Sequence, residues 1–186
     1  MTKGELVYQF VNSKIHLLQK NEEWDRAMLA KLRRGAGKDP SETPEIWEVT
    51  LAGLPEELVC RQSDCCKATA GEQAVHAALT LFALHQQGST VSVDVAKVSF
   101  ATAARRLMNG TNDDAIKRRF DAAVTATDIS ELVNHARGLV QLMKAAEKPI
   151  GFDYPQFAKD LYVFQFPEGK GDVRLRWGQN AKKNEV

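Results

Sequence analysis

Cysteine is scarce in this chain of 186 residues: Cys60, Cys65 and Cys66 are the only three. An odd count in a chain of this length does not suggest a disulfide scaffold. Adjacent Cys65 and Cys66 are not expected to pair with each other, so buried thiols in a reducing cytoplasm are the expectation. Long apolar runs are also missing. Nothing approaches the ~20 residues of a membrane span, and the amphipathic N-terminus lacks the apolar block of a signal peptide. A cytoplasmic location without a membrane partner follows as an expectation. Excess charge of one sign is absent too: the net charge is +1, so whole-chain charge does not point to a polyanion. No repeat period or low-complexity block appears.

The motifs of familiar chemistry are absent as well. Gly35-x-Gly37-Lys38 follows a helix, whereas a phosphate loop needs a strand before it. No His-Glu-x-x-His, Gly-x-Ser-x-Gly or Cys-x-x-Cys occurs. His76 and His85 lie near the three cysteines, but the spacing matches none of the usual zinc pairings. Each His therefore reads as a partly buried helix residue. Asp113 and Asp114 are neighbours on a helix and point ~100° apart, and helix-start electrostatics accounts for them without a metal. Neither an enzyme nor a cofactor is expected.

What is present is helical periodicity, with charge sorted along the chain. Residues 1–96 hold 10 Lys+Arg against 13 Asp+Glu, a net of −3; residues 97–186 hold 15 against 11, a net of +4. Gly88-Ser89 breaks the pattern, and alternating valines follow in a short extended link. The expected architecture is all-α, two small helical bundles in one chain, at 1–92 and 93–186.

In the first half, residues 4–20 form a helix with Leu6, Val7, Phe10 and Val11 on one face. A second helix, 22–34, should bury Trp24, Met28 and Leu32. It ends in Arg33-Arg34 before Gly35, cations that suit the negative end of a helix. After a loop carrying Lys38, a short helix bears Ile46 and Trp47. The stretch 69–87 is apolar nearly all round and reads as the central helix.

In the second half, Ser99–Lys148 reads as three helices with basic outer faces. The first buries Phe100, Ala104 and Leu107 and leaves Arg105 and Arg106 outside. In the second, Ile116, Phe120, Ala123 and Val124 form the core stripe; Arg118 points away from it and Arg119 lies on its flank. The third buries Leu132, Ala136, Leu139, Val140 and Met143. Arg137, Gln141, Lys144 and Lys148 share its other side, with no carboxylate among them. A helix at 154–165 packs Phe157, Leu161 and Phe164. Val173, Leu175 and Trp177 then alternate with Arg174 and Arg176, which predicts an extended segment, apolar on one side and basic on the other.

The order of these motifs resembles the CasB family, the small subunit of the type I-E CRISPR Cascade complex. The residues that carry the resemblance are Leu32-Arg33-Arg34-Gly35, Pro44-x-x-Trp47 and the segment from Ser99 to Leu107. Lys117-Arg118-Arg119-Phe120, His135-x-Arg137-x-Leu139-Val140, Phe152-Asp153-Tyr154 and Val173–Gly178 complete the set. The resemblance implies a non-catalytic, all-helical subunit present as paired copies beside the other Cascade subunits (backbone and large), the CRISPR RNA and target DNA. Family members contact the guide–target region and help hold the displaced strand. The candidate nucleic-acid contacts are Arg33, Arg34, Lys38, Arg105, Arg106, Arg118, Arg119, Arg137 and Lys144. The rival expectation is a helical adaptor whose basic face meets an acidic protein without nucleic acid.

Overall fold

A computed structural model describes residues 1–20, 23–60, 67–108, 110 and 112–182. Its helices are α1 (Lys3–Leu18), α2 (Glu23–Arg34), α3 (Trp47–Thr50), α4 (Ala70–Gln86), α5 (Phe100–Arg106), α6 (Asp113–Thr125), α7 (Ile129–Ala145), α8 (Tyr154–Phe164) and α9 (Pro167–Lys182). Short 3-10 turns at Pro40–Glu42 and Pro44–Ile46 lead into α3. The fold is all-α: among the described residues the extended pairing is one isolated bridge between Asp94 and Phe152.

Capping fixes where the helices begin. Thr2, Thr69, Ser99, Asp128 and Asp153 each accept a backbone N–H from the first turn of α1, α4, α5, α7 and α8, satisfying donors that a helix start leaves without an intrahelical partner. At α4 the cap is reciprocal: Glu72 accepts from the Thr69 N–H at 2.7 Å, a capping box.

α4 is the central element. It packs against α1, α2, α7 and α8, and from Ala74 to Ala83 every residue is buried. Helices from either side of the 88–95 link pack together, α8 lying against α1 and α4. The link runs beside 151–153, with Val95 N–H donating to the Phe152 carbonyl at 3.0 Å and Phe152 N–H to that of Val93 at 3.1 Å. An aromatic cluster fills the base of the second half. Phe152 stacks on Tyr154 with ring centroids 4.2 Å apart, and Phe100 lies 4.9 Å from Phe157 and 5.2 Å from Trp177.

Five sequence expectations require correction. Residues 173–177 are helical within α9, not extended: Val173 and Trp177 are buried one turn apart, while Leu175 is 63% exposed. Three alternating apolar residues satisfy a helical i, i+4 pair as well as a strand period, and here the i, i+4 pair meets the core. Trp24 is 38% exposed, and Asp25 takes the inward position beside Met28. Arg105 is half-buried rather than outside. His76 and His85 are fully buried, because α4 is covered on all sides. Cys60 is joined in a disulfide and is not a free thiol; Cys65 and Cys66 lie outside the described residues.

Candidate nucleic-acid interface

Many cations of the second half are consumed by the fold. Arg174 donates to the carbonyls of Val124 and Ala126, each at 2.8 Å, and so caps the end of α6 with its guanidinium. Lys170 donates to Thr127 O at 2.6 Å, pinning the α6–α7 turn to α9. Lys159 pairs with Glu5 at 2.8 Å, tying α8 to α1. Arg176 pairs at 2.6 Å with Asp160, which also accepts from Trp177 Nε1 at 2.6 Å and from Gln156 Nε2 at 2.8 Å. Burial pushes the Asp160 carboxyl above the usual range, and these donors pull it back only in part. The basic side expected of the tail is therefore structural.

The candidate residues stand apart from that set. Arg34, Lys38, Arg118, Arg119 and Arg137 are exposed, and Arg33 is half-buried. Among the described residues, none of these six has an ion-pair partner. Lys117, next to Arg118, is instead neutralised by Asp121 at 3.5 Å. Arg106 is exposed on α5. The Arg105 Nε is buried, with no acceptor among the described residues.

The outer face of α7 carries Ser130, Asn134, Arg137, Gln141, Lys144 and Lys148, a row at helical spacing that continues past the last turn of the helix. Glu131, the acid within α7, is occupied elsewhere: it accepts from the Thr127 N–H at 2.7 Å and hydroxyl at 2.9 Å, bonds that hold its carboxyl below the usual range. Exposed Glu147 lies past the helix, beside Lys148. At one end of the row Lys144 donates to Gln87 Oε1 at 2.8 Å, at the end of α4.

At the other end the chain leaving α2 meets Arg137. Gly35 lets it pass: a Cβ there would stand 3.0 Å from Ile46 Cδ1 and 3.1 Å from Thr80 Cγ2. Two residues on, Gly37 has φ +85, the left-handed region that suits glycine. A Cβ on Gly37 would lie 3.3 Å from an Arg137 guanidinium nitrogen. The segment that starts at Arg33-Arg34 and carries Lys38 thus runs directly past the basic row of α7. Arg118 and Arg119 face solvent on α6, which packs on α7; no described contact links them to the Gly37–Arg137 junction. Sequence reasoning missed Gly37 and Asn134, which shape this junction. A glycine two positions after a helix stop was the available signal.

The arrangement can neutralise phosphates. Among the described residues, no group of three or more His, Cys, Asp or Glu could hold a metal ion, and no helix is long and apolar enough to cross a membrane. A cleft of about 450 Å³ near α1 and α8 holds the carboxylates of Glu5 and Asp153 against one cation, Lys97.

Comparison with known proteins bears on this reading. The model of a family described as CRISPR-associated protein Cse2 matches residues 28–180. The crystal structure of CasB from Thermobifida fusca superposes with a TM-score of 0.77 at 29% identity, covering 96% of this chain and 98% of that one. A Cse2-family CRISPR-associated protein from Thermus thermophilus gives 0.68 at 21% identity, covering 97% and 98%. A structure of CasB from the same species gives 0.65 at 20%, with the same coverage; these last two share the fold. A search of curated proteins finds no match.

Proposed function

Because the chain belongs to the CRISPR-associated Cse2 family, to which CasB proteins also belong, we propose that it binds nucleic acid within a Cascade complex. It does so without catalysis and without reading sequence, stabilising guide–target pairing and the displaced DNA strand. The observation that carries this reading is the set of exposed cations beside and along α7, Arg34, Lys38, Arg118, Arg119 and Arg137, none with an ion-pair partner among the described residues. Half-buried Lys144, bonded to Gln87, stands behind them. Exposed Arg and Lys on rigid helices neutralise backbone phosphates and release counterions whatever the bases are. A subunit of an RNA-guided complex needs that tolerance, since base pairing carries the sequence information. Opening the duplex is nearly balanced in energy in such systems, so a few phosphate contacts on one strand decide whether the open state persists.

Arg118, Arg119, Arg137 and Lys144 supply most of this contact in our proposal, with Arg33, Arg34 and Lys38 behind the Gly37–Arg137 junction second. Arg105 and Arg106 extend the surface on α5. A net charge of +1 gives weak binding by the isolated chain and firm binding where neighbouring subunits and a second copy add their contacts. The expected setting is the cytoplasm, with the backbone and large Cascade subunits, CRISPR RNA and target DNA as partners. Affinity purification of the chain from cells with its neighbouring subunits tests this. Co-purifying RNA that nuclease removes supports it; protein partners without nucleic acid favour an adaptor that meets an acidic protein.

A further inference from the structure

We propose that the cleft between the Gly37–Glu42 segment, α4 and the first turn of α7 takes up a single unstacked nucleobase from a strand held on the adjoining cations. The inference rests on the phosphate-binding reading and goes beyond it, since phosphate contact alone needs no base.

The cleft has a volume of about 200 Å³, with Pro40, Ala77, Ile129 and Val133 as apolar walls. Such walls cover the faces of a planar ring, and the size admits one ring system rather than a stack. At its floor lies His76, 1% exposed. The carbonyls of Gly35 and Lys38 face its ring, but neither ring nitrogen has a hydrogen-bond partner. Buried polar groups in folded proteins are nearly always paired. An imidazole that meets the Gly35 and Lys38 carbonyls without hydrogen-bond geometry, beside an open cleft, is free to take a partner from outside. Burial keeps the ring below its ordinary pKa, hence neutral, and a neutral imidazole offers one donor and one acceptor. The edge of a base offers the same pair.

Charge narrows the choice of ligand. Asp39 and Glu42 both line the cleft. Asp39 Oδ1 accepts from the Ser41 N–H at 2.9 Å, and Glu42 Oε1 from the Asp39 N–H at 3.0 Å. The Asp39 carboxylate also takes the Ser41 hydroxyl at 2.6 Å and the Glu42 N–H, while the second oxygen of Glu42 has no bond among the described residues. The two carboxylates repel a phosphate and that oxygen accepts from an exocyclic amino group, so an amino-bearing base fits and an anion does not. The flanking phosphates remain outside, where Lys38 lines the rim and Arg137 lies against Gly37. A cationic track with a base turned off it is a general way of holding single strands.

The test compares short single strands of equal length bound to the full chain at low salt, followed by fluorescence anisotropy: oligo-dC, oligo-dT and a base-free deoxyribose-phosphate backbone. Ser130→Trp, at an exposed position on the rim, plugs the mouth without entering the core. We expect oligo-dC to bind about tenfold more tightly than the base-free strand, with oligo-dT between them. Ser130→Trp should bring all three to the base-free affinity and leave the salt dependence unchanged. Equal binding of oligo-dC and the base-free strand overturns the inference and leaves phosphate binding standing. So does an oligo-dC advantage that survives Ser130→Trp, which would place stacking elsewhere, as on Trp24 or Trp47. Failure of all three strands to bind overturns the phosphate reading, and this inference with it.

Discussion

Arg137 lies against Gly37, with a guanidinium nitrogen 3.3 Å from where a Cβ on the glycine would stand. The contact joins the chain leaving α2 to the outer face of α7, and with it the Arg33-Arg34 and Arg137 cations that are far apart in sequence. It depends on a residue with no side chain in a left-handed backbone conformation.

Gly37→Ala should therefore do two things. A side chain at φ +85 costs about 1–2 kcal/mol, and the added methyl displaces Arg137. We expect a lower urea midpoint and weaker single-strand binding, in the same direction as Arg137→Gln. A variant with unchanged stability and binding would show that the junction is incidental.

The Asp160–Trp177 pair should be a strong point of the fold. Asp160→Ala leaves the buried Trp177 N–H and the Gln156 amide without their acceptor and frees Arg176. Losing the acceptor of buried donors costs about 3 kcal/mol in all, which lowers the melting temperature by roughly 10 °C in a chain of this size. Thermal melts by circular dichroism read this directly. Asp160→Asn, which keeps an acceptor for the indole, should lose less.

Acid should unfold the protein partly through His85. Its Nδ1 meets the Tyr154 hydroxyl at 3.0 Å, and burial, with the charge of Lys144 adding, lowers its pKa from 6.5 to about 4. The unfolded chain thus takes up a proton that the folded one refuses. This contribution is complete above the unfolded pKa of 6.5 and is lost as pH falls from there to about 4, amounting to about 3 kcal/mol. His76 shifts in the same direction. Urea unfolding across that window should show a smaller loss of stability in His85→Phe than in the wild type. Parallel losses would contradict the assignment.

The helices were legible because their stripes are long. Leu132, Ala136, Leu139, Val140 and Met143 define α7 before any coordinate is known, and all five are buried. α9 was not legible, since Val173, Leu175 and Trp177 fit a strand as readily as a helix, and only the acceptor at Asp160 and the ring of Phe100 decide which is buried. The same holds for charge. Nothing local distinguishes Arg174, spent on the last carbonyls of α6, from Arg118, which has no such partner. Those acceptors lie about fifty residues away. Proximity of Gly37 to Arg137, and the unsatisfied imidazole of His76, are tertiary facts with no signature in residue spacing.

The most direct test of the central claim is the salt dependence of single-stranded DNA binding, in the wild type and in Arg137→Gln, Arg118→Gln and Arg119→Gln. If these side chains neutralise phosphates, the wild type gives a steep negative slope of log affinity against log salt, and each substitution makes it shallower by about 0.7. Variants that bind like the wild type at every salt concentration would contradict the claim.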